Sequence, residues 1–95
     1  MRLRKADLET ITHTVHCVDP GAVIYIFGSR VDDNKKGGDV DLLVISDVIR
    51  FEDELRIRRN ILDQIGWQKL DLIVKRNNEL GSGIVDLAMQ NGIKL

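Results

Sequence analysis

The stretch "FGSRVDDNKKGGDVDLLVI", Phe27 to Ile45, decides the fold of this 95-residue chain. A mostly polar and glycine-rich block separates two apolar runs and ends in Asp39-Val40-Asp41, which leads straight into Leu42 to Ile45. Before the block, "AVIYIF" (Ala22 to Phe27) is a short run rich in β-branched and aromatic residues, the pattern of a buried strand. Asp32 to Gly38 reads as a polar loop, and Asp39 to Ile45 as a second strand. Side chains alternate across a strand, so Asp39, Asp41, Leu43 and Ile45 share one face. Leu43 and Ile45 call for burial, which puts the two carboxylates at the rim of the core. Residues two apart on a strand stand about 7 Å from each other. At that spacing two carboxylates repel each other unless a shared cation stands between them, and their hard oxygens suit Mg²⁺.

The flanks complete the architecture. Leu8, Ile11, Val15 and Val18 recur at helical spacing, which predicts a helix over Lys5 to Cys17, punctuated by Pro20-Gly21. Phe51, Leu55, Arg58, Leu62 and Ile65 follow a 4-3-4-3 step, which predicts a helix over Arg50 to Ile65 that stops at Gly66. "KLDLIV" (Lys69 to Val74) reads as a third strand, and Gly83 to Gln90 as a last short helix before Asn91-Gly92. The order α-β-β-α-β-α is that of an α/β (α+β) domain, a small mixed sheet covered by helices, and residues 1–95 read as a single domain.

Composition narrows the function. Fourteen Lys and Arg stand against 15 Asp and Glu, which argues against a protein whose main task is to coat nucleic acid. Cys17 is the only cysteine, so no internal disulfide forms and a reducing compartment is expected. "MRLRKADLET" has charges without an apolar segment behind them, unlike a secretory signal. No apolar run approaches the roughly 20 residues of a membrane helix, and the reading is a cytoplasmic protein without membrane contact.

Gly28-Ser29 follows the first strand directly. Glycine lets backbone approach a ligand closely, and a serine hydroxyl with turning backbone N–H groups makes a phosphate nest. A phosphate cradle beside a metal-binding carboxylate pair describes nucleoside triphosphate chemistry. A Walker-type loop is absent, and Asp39-Val40-Asp41 lacks the further ligands and glycine of an EF-hand. Taken alone, Gly28-Ser29 is a common turn. Asp71 shares a strand face with Lys69, Ile73 and Lys75, so from these residues alone it reads equally as part of a wet face.

The combination G-S-x(8)-G-D-x-D-L resembles the signature of the nucleotidyltransferase superfamily related to DNA polymerase β, and most of all its minimal MNT form. The resemblance covers nearly the whole chain. It implies that Asp39 and Asp41 hold two metal ions, expected to be Mg²⁺, that Asp71 completes the catalytic site, and that Gly28, Ser29 and Arg30 bind the nucleotide. It implies AMP transfer from ATP to an acceptor hydroxyl. It also implies a small helical HEPN partner in a toxin–antitoxin-like pair, with this chain as the antitoxin, and hence a homo- or hetero-oligomer. Two other readings stand beside it: a binding module that neutralises its partner without catalysis, and transfer to a small molecule such as an aminoglycoside. One departure is visible. Many minimal members carry G-S-R-A-R-G, whereas Val31-Asp32-Asp33 follows Arg30 here, so a second arginine and a loop glycine are missing.

Other features have plainer readings. His13, His16 and Cys17 lack a fourth ligand for zinc, and His13 and Cys17 fall opposite the apolar stripe. Arg56 to Arg59 looks basic, yet Glu52–Arg56, Glu54–Arg58 and Arg59–Asp63 are spaced as i,i+4 pairs of a solvated helix face. Trp67 reads as packing at a helix-to-strand corner. At the C-terminus, Ile93 and Leu95, with Ile84 and Leu87, either form an exposed patch for a partner or fold back onto the sheet.

Overall fold

A computed structural model describes residues 5–27, 39–65, 69–79, 83, 86, 90 and 92–95, with backbone alone at 27, 39, 40 and 69. The elements are α1 (Lys5–His16), β1 (Val23–Phe27), β2 (Asp39–Ile45), α2 (Phe51–Ile65), β3 (Lys69–Lys75), a 3₁₀ turn (Asn77–Glu79) and β4 (Ile93–Lys94). The sheet order is β3-β2-β1-β4. β1 runs antiparallel to β2 and to β4, whereas β2 and β3 are parallel. A parallel pair needs a crossover, and α2 supplies it. Gly83, Asp86 and Gln90 are helical and exposed, the described part of the last predicted helix.

Both faces of the sheet are apolar, for different reasons. The even-numbered residues Ile24, Ile26, Leu42, Val44 and Leu70 pack with Ile11 and Val15 of α1 and Ile57 and Ile61 of α2. This is the main core. The odd-numbered face carries a smaller cluster, in which Leu43 and Ile45 are buried against Val23, Tyr25 and Ile73. β2 is therefore buried on both faces, which explains its unbroken run Leu42 to Ile45.

The α1 stripe matches its spacing: Ile11 and Val15 are fully buried, with Leu8 and Val18 packed against them. The α2 stripe matches only in its second half, where Leu62 and Ile65 pack against the main core. Phe51 and Leu55 are 68% and 57% exposed, and Ile57 and Ile61 take the buried positions instead. The helix is turned so that its isoleucines face the sheet, and Arg58 reaches over to donate from Nε to the Leu70 carbonyl of β3 at 3.2 Å. The expected i,i+4 pairs on α2 do not close either. An i,i+4 ion pair does form at the end of β3, between Lys75 and Glu79 at 3.7 Å.

The turn between β2 and α2 is organised by one hydroxyl. Ser46, 1% exposed, accepts from the N–H groups of Val48 and Ile49 at 3.1 Å each. Its own proton goes to Asp19 Oδ2 at 2.5 Å, which joins the α1–β1 turn to this one. Asp19 Oδ1 in turn accepts from the Gly21 N–H at 2.9 Å. α2 then begins with Asp53 accepting from the Arg50 N–H at 3.0 Å, half of a capping box. Ser46→Ala is expected to lower stability by about 2 kcal/mol, because it strips a cap and leaves a buried N–H unpaired. Urea denaturation of the two proteins measures the difference.

The C-terminal residues form a strand that periodicity could not reveal. β4 pairs with β1, Tyr25 opposite Lys94 and Ile26 opposite Ile93, and the Leu95 N–H donates to the Ile24 carbonyl at 2.9 Å. Leu95 packs against the main core, so it folds back onto the sheet, while Ile93 stays 43% exposed. Ile84, Leu87 and Trp67 lie outside the described residues.

Candidate active site

The crossover through α2 makes β2 and β3 start at the same end of the sheet. Their register has no offset: Asp39 stands opposite Lys69, Asp41 opposite Asp71 and Leu43 opposite Ile73. Each aspartate is the third residue of its strand. In-register residues of neighbouring parallel strands point to the same face, about 4.8 Å apart across the backbone. Asp41 and Asp71 therefore sit side by side on the odd-numbered face. Asp39 occupies the same face by parity, one step nearer the strand's start; its side chain lies outside the described residues.

This face is the one turned away from α1 and α2. The cluster of Leu43, Ile45, Val23, Tyr25 and Ile73 floors it on the interior side of the carboxylates. Asp41 is half-buried and Asp71 exposed, so the pair stands where the apolar floor gives way to solvent. β1 reaches the same rim from the other direction, because Phe27 is the register partner of Asp41. Gly28, Ser29 and Arg30 follow Phe27 in the chain and lie outside the described residues.

The donor set suits a divalent cation. Like charges directly opposite each other on neighbouring strands are unfavourable, and a hard cation offsets that cost with the oxygen ligands it prefers. Among the described residues no group of three His, Cys, Asp or Glu converges as a metal site. The observed juxtaposition is the pair Asp41–Asp71, with Asp39 as the third position on its face.

A family model described as polymerase beta, nucleotidyltransferase matches residues 9–95. The chain belongs to the polymerase β nucleotidyltransferase family. Its small mixed α+β architecture agrees with the polymerase β-like fold, and family membership makes it a transferase of the nucleotidyl kind. The family as a whole uses nucleoside triphosphates and divalent metal. No curated protein matches the chain.

Among the described residues of this member, the other titratable clusters are structural or separate from the aspartate rim. Cys17 Sγ, just past the end of α1, lies 3.5 Å from His13 Nε2, both exposed, and His16 Nε2 bonds the Ala22 carbonyl at 3.0 Å. A hollow of about 530 Å³ runs along α1 past Leu8, Thr12 and His16 to Leu95, away from the aspartates. Asp47, beyond the far end of β2, accepts from the backbone N–H and the side-chain amide of Asn77, both at 2.9 Å. Those bonds, with the Arg76 guanidinium nearby, hold its carboxyl below the usual aspartate range. Among the described helices none is long and apolar enough to cross a membrane.

Proposed function

We propose that this chain transfers AMP from ATP to a hydroxyl group on a partner protein, as the antitoxin-like member of a pair with a helical HEPN-type protein. The observation that supports this reading most is the in-register pairing of Asp41 with Asp71 on the open face of the sheet. In the reaction the acceptor oxygen attacks the α-phosphorus, the bond to the bridging oxygen breaks, and pyrophosphate leaves in line. Asp39, Asp41 and Asp71 are the residues to hold Mg²⁺, which when bound supplies charge neutralisation for the attacking and leaving oxygens. Asp71 takes the acceptor's proton, a role that its greater exposure supports. Gly28 and Ser29 hold the β- and γ-phosphates, and Arg30 neutralises their charge. The partner reading rests on the likeness of the sequence to minimal members of the family.

The test has two arms. In calorimetry, ATP affinity is expected to fall at least about tenfold when the metal is chelated, the usual penalty for leaving a paired charge uncompensated. Equal binding with and without Mg²⁺ would remove the metal site. In the second arm, α-labelled ATP, Mg²⁺ and a co-expressed HEPN-type partner are expected to give a covalently labelled partner. A tight complex without label marks a binding module, and label on an aminoglycoside alone marks a small-molecule transferase; either result rejects the proposed acceptor.

A further inference from the structure

Around α2, the exposed Phe51 and Leu55 fall within about 40° of each other, on average about 120° from the buried Ile57 and Ile61, while Leu62, at a similar angle further along, packs against the main core. Val48, 57% exposed, continues this apolar surface just before the helix. Isolated exposed apolar residues are ordinary, but Phe51 and Leu55 lie one turn apart on the solvent side of α2, with Val48 just before them.

The charges beside the stripe show a symmetry. Glu52 and Arg59 lie on one flank, Glu54 and Arg58 on the other. The first couple is centred between Leu55 and Arg56 and the second on Arg56, less than about 1 Å apart along the helix. When two copies of a helix pack antiparallel about a two-fold axis, each flank meets the same flank of its copy, and residues equidistant from the axis face each other. An axis at Leu55–Arg56 sets Glu52 against Arg59 of a second copy, and Glu54 against Arg58, on both sides at once. Among the described residues the side chains of Glu52, Glu54 and Arg59 form no ion pair or hydrogen bond, and Arg58, whose Nε donates to the Leu70 carbonyl, keeps its terminal guanidinium nitrogens for a copy.

We infer that α2 is a self-association face, on which a second copy of this chain packs antiparallel with Leu55 at the two-fold axis. Leu55 meets its own copy, Phe51 of each chain covers the neighbouring turn of the other helix, and four charge pairs frame the apolar centre. α2 packs on the even-numbered face of the sheet and the aspartates lie on the odd-numbered one, so this association leaves the aspartate face open. The interface is distinct from the proposed nucleotidyl transfer and stands or falls without it.

Analytical ultracentrifugation across a range of concentrations tests it, with circular dichroism to check that each variant is folded. The unmodified chain is expected to dimerise and Leu55→Arg to stay monomeric, with the same spectrum because Leu55 is exposed. Glu52→Arg and Arg59→Glu are each expected to weaken the dimer about tenfold or more, and the double variant to restore it. A chain that is monomeric throughout, or a dimer indifferent to Leu55→Arg, overturns the inference. So does a double variant no better than the singles, or a chain that uses Leu55 only to bind a different protein.

Discussion

Asp41→Asn is expected to reduce nucleotidyl transfer on the order of 10³-fold, the scale at which a group acting on charge in the transition state is lost. Asparagine keeps the shape of the side chain and removes the charge, so the effect reads electrostatics more than packing. Asp41 is the half-buried member of the pair and stands between the register positions of Phe27 and Asp71. From there it faces both the β1 rim, where the triphosphate is proposed to sit, and the acceptor side. Its loss should therefore weaken Mg²⁺-dependent ATP binding as well as the rate. Asp71→Asn is expected to cost a similar factor in rate while ATP affinity changes only a few-fold, because its proposed role lies with the acceptor. Transfer assays beside calorimetry separate the two. An Asp71→Asn protein with full transfer rate would remove the third carboxylate from the proposed mechanism.

Ile57→Ala is expected to destabilise the fold by about 3 kcal/mol, whereas Leu55→Ala should stay within about 0.5 kcal/mol. The two residues are near neighbours on one helix and similar in size. The difference is that Ile57 is 1% exposed in the main core and Leu55 is 57% exposed. Removing the Ile57 side chain leaves a cavity among Ile11, Val15 and Ile61, and a close-packed interior collapses only partly around such a gap. For a domain of this size a loss of that scale is a large share of the whole stability, about 5–15 kcal/mol. Denaturant titration at concentrations low enough to keep the chain monomeric gives both values. The reverse order would mean that α2 faces the sheet with Phe51 and Leu55, as their spacing alone suggests.

That contrast also shows where sequence reading reaches its end. On α1 the apolar residues form one stripe, so spacing and burial agree at Ile11 and Val15. On α2 two stripes compete, and periodicity cannot say which faces the sheet. Phe51 and Leu55 begin the one, yet Ile57 and Ile61 are fully buried, Leu62 only packs at the core's edge, and Arg58 lies against the Leu70 carbonyl of β3. The ion pairs expected along α2 failed for a related reason: i,i+4 spacing permits a contact between exposed charges without stabilising it enough to hold both side chains. A two-residue strand such as β4 carries no periodic signal at all, and it exists because β1 offers it an edge.

By itself the sequence determined the element order as far as β3, the loop-then-aspartate motif and, by parity, the common face of Asp39, Asp41, Leu43 and Ile45. These are local properties, set by alternation along a strand and by the residues that stop a helix. Asp71 was different, since its own strand read equally well as a wet face. Only the tertiary structure decided that it stands beside Asp41, because register between strands is set by how α2 packs across them and not by either strand alone. The same packing turned the isoleucines of α2 inward and left Phe51 and Leu55 in solvent, a choice made by the shape of the sheet the helix had to cover.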